Sequence, residues 1–177
     1  MFKRLLFIVL LCSCLTSEAA YINWRNVTFN RKHLSPTLQL AGLELDTPET
    51  LNGISEVRIN SKGKPSDGFD GYEITRNGTN IEINSATDLG ALYAVYHLLR
   101  LDNGNEKQTD IPDRISETPA FGLRILNHWD NLDGTIERGY AGRSLWKWDE
   151  LPDKLSRNYE YYARRNASIG INGTVLN

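Results

Sequence analysis

The sequence has few of the residues that hold small exported domains or metal ions together. Among its 177 residues it has two cysteines, Cys12 and Cys14, both near the N-terminus, and three widely separated histidines. A disulfide framework and a cysteine-based zinc site are therefore excluded. No HExxH, P-loop or GxGxxG pattern occurs, and we expect neither a metal ion nor a cofactor.

A surplus of positive charge is also missing. Lys and Arg number 20 against 22 Asp and Glu, which gives a formal net charge of -2. Without a basic surface we expect no nucleic-acid partner and no attraction to an anionic membrane. Hydrophobic residues make up 40% and charged residues 24% of the chain, as in folded globular proteins, so disorder is excluded as the default state.

No apolar run is long enough to span a bilayer, which takes about 20 residues. Leu5–Leu11 is short and follows two basic residues, and Ser17 and Ala19 fit a small-x-small cleavage site. Residues 1–20 are therefore interpreted as a secretory signal peptide. A loose lipoprotein box that ends at Cys14 leaves lipid anchoring open beside simple secretion.

Residues 21–117 are predicted to form a small α+β domain. Leu38–Leu45 alternates in part with period two and is interpreted as a strand, and Ser55–Asn60 alternates cleanly. Tyr72–Arg76 and Ile81–Asn84 are two further short strands, and the Asn-Gly pair between them predicts a hairpin turn.

A helix is predicted after the hairpin, because Thr87 and Asp88 are both suited to cap its first free N–H groups. The apolar residues that follow recur at helical spacing and form one face. They are Leu89, Leu92, Tyr93, Tyr96 and Leu99.

Residues 118–177 are predicted to form a strand–helix–strand unit with parallel strands. Phe121–Leu126 is the first strand and Ile171–Leu176 the second. The helix between them carries a stripe of Leu155, Tyr159, Tyr162 and Ile169 and stops at Gly170. Because a parallel pair with one helix cannot cover both of its faces, we expect this region to be the front of a longer protein.

The segment Asn127–Glu150 is the predicted site of function, because activity in α/β proteins gathers at the carboxyl ends of parallel strands. Connections there usually run about 2–6 residues, so a much longer one serves more than connection. Trp129 offers a flat apolar face to a sugar ring. Three arginines are able to pair with a carboxylate, namely Arg124, Arg138 and Arg143.

Structural roles compete with these functional ones. Trp129 is equally suited to plug the mouth of a sheet, and His128 is more often a structural residue than a base. Asp130, Asp133 and Glu137 fit paired carboxylates for glycoside hydrolysis, but turn and capping roles are favoured for each. Glu137 and Arg138 are also able to form a local ion pair. The cluster Trp146–Trp148 is expected to pack the loop on the following helix.

The segment Arg124–Gly142, which reads RILNHWDNLDGTIERGYAG, resembles the signature of glycoside hydrolase family 67, the xylan α-glucuronidases. Gly71–Ile74 and Gly90–Arg100 resemble that family's N-terminal α+β domain, which is similar to the domain before family-20 hexosaminidase barrels. Ala167–Val175 resembles the start of the second barrel strand. The resemblance covers nearly all of the chain after residue 20.

This resemblance implies an α/β fold in which a signal peptide (1–20) and an N-terminal α+β domain (21–117) precede the first βα unit of a truncated (β/α)₈ TIM barrel (118–177). It implies release of glucuronic acid, or its 4-O-methyl form, from the α-1,2 linkage to xylose in xylo-oligosaccharides, with inversion. One protonated carboxyl and one carboxylate perform such a reaction. In the family both lie past Asn177, so we expect no catalytic residue here, and an isolated 177-residue chain is expected to be inactive.

The resemblance also implies that Trp129 lines the uronic acid pocket, with Asp130 and Asn131 as substrate-binding candidates by adjacency. The basic residues that hold the uronate carboxylate are expected beyond this chain. The implied partner is a glucuronoxylan-derived oligosaccharide, and the implied location is secreted or periplasmic. A homodimer of the full-length enzyme is left open.

Two other functions remain open. A secreted, non-catalytic carbohydrate-binding module accounts for the aromatic residues and for the lack of a convincing acid/base pair. A hexosaminidase relative rests on the N-terminal domain alone.

Overall fold

A computed structural model of the chain describes residues 27–46, 51, 53–102 and 111–176. The predicted signal peptide and its cysteines lie outside the described residues. The described chain divides into two compact units, of which one ends at Gly122 and the other begins at Leu123. No helix in these ranges has the length and apolar character needed to cross a membrane.

The first unit is a mixed five-stranded sheet with two helices. In chain order its elements are β1 (Val27–Phe29), α1 (Pro36–Leu45), β2 (Glu56–Lys64), β3 (Tyr72–Asn77), β4 (Asn80–Thr87), α2 (Asp88–Asp102) and β5 (Arg114–Glu117). The sheet order is β1-β2-β4-β3-β5, in which β1, β2 and β4 run parallel and β3 is antiparallel to β4 and β5. Helix α2 packs on β2, β3 and β4, and α1 packs on α2.

Alternate side chains of the central strands form the core of this unit. Ile59, Ile74 and Ile83 are completely buried, whereas the next residues along β2 and β4, Asn60 and Asn84, are half-buried on the opposite face. Period-two burial of this kind is the pattern that the sequence predicted for these strands. The predicted hairpin is confirmed, since β3 pairs antiparallel with β4 around Gly78 at φ 61°.

The predicted helix is also confirmed and begins where the capping residue places it. The Thr87 hydroxyl oxygen accepts a hydrogen bond from the Gly90 backbone N–H at 3.0 Å. The same hydroxyl donates to the buried carboxylate of Asp70 at 2.7 Å, which fixes the loop before β3 against the start of α2.

The predicted strand at Leu38–Leu45 is wrong, because this segment is helix α1. Ser35 caps the helix by accepting a hydrogen bond from the Leu38 N–H at 3.2 Å, and a proline in the first turn suits a helix start. Leu38, Ala41 and Leu45 are buried at helical spacing. The four leucines of the segment fit both periods, and the cap decides between them.

The second unit is a parallel strand pair with one helix. Strand β6 (Ile125–His128) pairs with β7 (Gly173–Leu176), and α3 (Arg157–Ser168) lies between them in the chain. Ser156 caps α3, and Gly170 at φ 81° follows its end, so the predicted strand–helix–strand order is confirmed. A closed barrel is not observed in the described residues.

The bounds of the predicted first strand are wrong. Strand β6 begins at Ile125 and continues through His128, while Phe121 and Leu123 are exposed outside it. Four residues of β7 are available as partners, and they lie opposite Ile125 to His128. The bounds of β6 are therefore determined by its pairing with β7 and not by the apolar run in the sequence.

We predict that Gly90→Ala destabilises the first unit, although alanine is normally the better residue inside a helix. A Cβ atom at this position lies against the Ser85 hydroxyl and 2.7 Å from the Gly71 carbonyl oxygen. We expect a loss of about 1–3 kcal/mol in the free energy of unfolding, measured by urea denaturation. An unchanged or higher urea midpoint would contradict this close approach of α2 to the chain before β3.

Candidate functional site

The long connection after β6 is braced by its own backbone. The Glu137 N–H donates to the Trp129 carbonyl oxygen at 2.7 Å, and the Ser144 N–H donates to the Gly134 carbonyl oxygen at 3.0 Å. Isolated antiparallel bridges join residue 130 to 136 and residue 135 to 143. The segment therefore folds back on itself and holds its side chains in fixed positions.

Asp133 is a turn residue of this segment. Its Oδ1 accepts hydrogen bonds from the Thr135 backbone N–H at 2.9 Å and from the Thr135 hydroxyl at 2.6 Å. These bonds hold the pKa of the Asp133 carboxyl below its usual range. Gly134, at φ 80°, completes the turn, which confirms the turn interpretation of the Asp-Gly pair.

Asn131 uses its side-chain amide inside the loop. Its Nδ2 donates to the Thr135 hydroxyl oxygen at 2.8 Å and to the Glu137 carbonyl oxygen at 2.7 Å. Both amide hydrogens are thereby occupied. Asn131 therefore fixes the conformation of this part of the loop.

Asp130 is the buried anchor of the loop. The Ser144 hydroxyl donates to its Oδ2, and its Oδ1 lies 3.7 Å from Nδ1 of His128. The same serine oxygen accepts a hydrogen bond from the Trp146 N–H at 2.9 Å. Asp130 therefore connects the end of β6 to the chain that leads into α3.

His128 joins β6 to α3 and β7 through a chain of hydrogen bonds. Its Nε2 lies 2.6 Å from the Tyr162 hydroxyl, which lies 3.1 Å from the Thr174 hydroxyl, and Thr174 donates to the Leu126 carbonyl oxygen. Because a carbonyl only accepts, Thr174 accepts from Tyr162 and Tyr162 accepts from His128. This direction places a hydrogen on Nε2.

Aromatic rings pack around this chain of hydrogen bonds. Trp146 is buried and stacks on Tyr159 with ring centroids 4.9 Å apart, and its edge meets the His128 ring at 5.7 Å. The Lys147 N–H donates to the Tyr159 hydroxyl at 3.0 Å. The predicted packing of Trp146 on the following helix is confirmed.

An open pocket of about 490 Å³ lies next to this anchored core. Trp129 is 62% exposed and Tyr140 75% exposed, so two aromatic faces are accessible. All three residues predicted to bind substrate line the pocket, although their contact with a substrate stays a prediction. The lining consists of Trp129, Asp130, Asn131, Glu137, Arg138 and Tyr140.

The three candidate arginines are separated by the structure. Arg138 lines the pocket. Arg124 donates from Nε to the Gly170 carbonyl oxygen at 2.5 Å and so connects β6 to the end of α3. Arg143 pairs through its backbone with Thr135. Within the described ranges Arg138 forms no ion pair with Glu137, so the local ion pair weighed from the sequence is absent there.

Tyr140 is a pocket residue that the sequence analysis did not single out. A hydrogen bond with the Glu137 carboxylate, together with its negative charge, raises the pKa of the Tyr140 phenol. An aromatic residue between two glycines, Gly139 at φ 90° and Gly142 at φ 99°, is the signal that was available in the sequence. Among the described residues no group of three or more His, Cys, Asp or Glu side chains is placed to hold a metal ion.

Sequence comparison with known proteins matches much of this chain to members of one family. Residues 104–177 match the glycosyl hydrolase family 67 middle domain. Over 130 residues, 72% of this chain, the sequence is 37% identical to a probable alpha-glucuronidase A of Neosartorya fischeri, of which it covers 15%. Over 115 residues, 61% of this chain, it is 36% identical to alpha-glucuronidase A of Emericella nidulans, of which it covers 13%. The chain thus spans about 15% of the length of these relatives.

A solved structure shares the fold. A GH138 enzyme targeting pectin rhamnogalacturonan II matches with a TM-score of 0.57 at 15% sequence identity, over 84% of this chain and 18% of that one. At this identity the likeness describes the fold alone.

We predict that Asp130→Ala lowers the free energy of unfolding by about 1–3 kcal/mol, because the Ser144 hydroxyl loses its buried hydrogen-bond partner. Urea denaturation measures the change, and Asp149→Ala, at an exposed aspartate of the same loop, is the matched control. An unchanged urea midpoint combined with loss of sugar binding would show instead that Asp130 acts on a ligand.

Proposed function

Since the chain belongs to glycoside hydrolase family 67, we propose that it is the N-terminal part of a xylan α-glucuronidase. The proposed reaction releases glucuronic acid, or its 4-O-methyl form, from the α-1,2 linkage to xylose in xylo-oligosaccharides. In this proposal residues 123–176 contribute the first βα unit of a (β/α)₈ barrel. The relatives named alpha-glucuronidase A and the exposed indole of Trp129 support it.

The position of Trp129 is the observation that carries the proposal. Its neighbours in the chain, His128 and Asp130, are tied down, while its own ring is exposed in the pocket. A flat apolar ring in a polar pocket suits the apolar face of a sugar. Arg138 in the same pocket provides positive charge toward a substrate that carries a carboxylate.

The proposed mechanism inverts the configuration at the anomeric carbon of the glucuronic acid. A protonated carboxyl donates its proton to the leaving oxygen as the glycosidic bond breaks. A carboxylate takes a proton from the water that forms a bond to the anomeric carbon on the opposite face of the ring. We assign neither role to a described residue. Asp130 is buried against Ser144, and Asp133 is occupied by Thr135 in a turn. The pair is proposed to lie on later barrel strands.

We also propose that the protein is exported, to the periplasm or the exterior, with lipid anchoring through Cys14 as the other outcome. Fractionation of the natural host with an antibody against the chain tests export. Labelling with a palmitate analogue distinguishes a lipoprotein from a free secreted protein.

A carbohydrate-binding module without catalysis is the second candidate. The observation that favours it is the pair of exposed aromatic residues, Trp129 and Tyr140, in a pocket where Asp130 is already engaged. Incubation of the protein encoded by the natural gene with aldouronic acids separates the two functions. Release of glucuronic acid supports the enzyme, and binding without release supports the module.

We predict that Trp129→Ala lowers kcat/KM for aldouronic acids about tenfold or more, because the sugar loses the apolar surface it covers. Chromatographic measurement of released glucuronic acid follows the change. Tyr161→Ala, at an exposed aromatic residue of α3 outside the pocket, is the control and is expected to act as the wild type does. Unchanged kinetics in Trp129→Ala would remove this residue from the sugar site.

A further inference from the structure

Glu137 occupies a backbone conformation that normally suits glycine. Its φ is 54°, in the left-handed region, where a side chain crowds the backbone. Three glycines of the same loop, Gly134, Gly139 and Gly142, also have positive φ. Glycine at position 137 would adopt this conformation without that strain. The presence of glutamate at this point therefore calls for a role of its side chain.

The surroundings hold Glu137 in this conformation from both sides. Its N–H donates to the Trp129 carbonyl oxygen at 2.7 Å, and its carbonyl oxygen accepts from Nδ2 of Asn131 at 2.7 Å. Both neighbours line the same pocket. The loop thus fixes the backbone of Glu137 relative to Trp129, and these backbone hydrogen bonds do not involve the carboxylate.

The carboxylate itself is exposed in the pocket. Among the described residues no cation lies within ion-pair distance of it. Its partner is the exposed Tyr140 phenol, with which it forms a hydrogen bond and whose pKa it raises. A carboxylate has two oxygens and so keeps further acceptor positions. A carboxylate of this kind accepts hydrogen bonds from adjacent hydroxyl groups, which are the groups that a sugar ring presents around its edge.

We propose that Glu137 is a substrate-binding residue that accepts hydrogen bonds from the ring hydroxyls of the sugar that covers Trp129. This inference rests on the proposed function and names a residue of the same pocket. Two negative charges repel each other, so Glu137 faces the hydroxyl edge of a uronic acid and its carboxylate lies elsewhere. Glu137 therefore selects the orientation of the sugar as well as binding it.

The test uses the protein encoded by the natural gene and three variants. Glu137→Gln keeps the size of the side chain and removes its charge. Glu137→Gly removes the side chain and suits the backbone. Glu160→Gln, at an exposed glutamate of α3 that pairs with Arg164, is the control for loss of one negative charge. Calorimetric binding of glucuronic acid, kinetics with aldouronic acids and thermal unfolding are measured for each.

We expect both Glu137 variants to bind glucuronic acid about tenfold more weakly or worse and to lose kcat/KM by a similar factor. We expect Glu137→Gly to unfold at the wild-type temperature or above, which a purely structural glutamate would not allow. The control should behave as the wild type does.

Binding within about twofold of the wild type in both Glu137 variants would overturn the role of Glu137. A lower unfolding temperature in Glu137→Gly would also overturn it, because the side chain would then serve the fold. If the wild type neither binds nor releases glucuronic acid, the proposed function is wrong. If the wild type is active and both Glu137 variants are equally active, only the role of Glu137 is wrong.

Discussion

The arrangement of the second unit depends on the contacts of the His128 imidazole. On one side it reaches Tyr162 of α3 and, through that hydroxyl, Thr174 of β7. On the other side it faces the buried carboxylate of Asp130, which holds the loop through Ser144. One ring thus joins a strand, a helix, the next strand and the connection between them. The bond between His128 and Tyr162 is partly buried, so it fixes the imidazole against α3.

Alternation along the chain then separates anchoring from recognition. Successive side chains of an extended segment point to opposite sides. His128 packs against Trp146 and Asp130 is held by Ser144 at the wall of the pocket, while the ring of Trp129 between them is exposed in the pocket. The exposed indole is held in place because both neighbours are bonded. Its precise position depends on the helix and on β7, although neither element lines the pocket.

Local signals predicted those elements in which pattern and burial agree. The strands around Ile59 and Ile83 alternate cleanly, and the helix after Thr87 has both a cap and an apolar face. The leucines of Leu38–Leu45 fit both the strand and the helix period, so the pattern alone does not identify the helix. The hydrogen bond from the Leu38 N–H to the Ser35 hydroxyl favours the helix. Four-residue strands such as β5 carry too few residues for a pattern, so their pairing is set by the neighbouring strand.

The order of residues by itself determined the family resemblance, the parallel strand–helix–strand unit and the choice of the loop after β6 as the site. These features depend on short-range spacing, which a sequence states directly. Only the tertiary structure decided which loop residues anchor and which are exposed. Asp130, Asn131 and Glu137 all have polar side chains, and the sequence does not distinguish their roles. In the structure Asp130 accepts a hydrogen bond from Ser144, and the amide of Asn131 donates to Thr135 within the loop. Glu137 keeps its carboxylate in the pocket, because its backbone N–H is bonded to the Trp129 carbonyl oxygen.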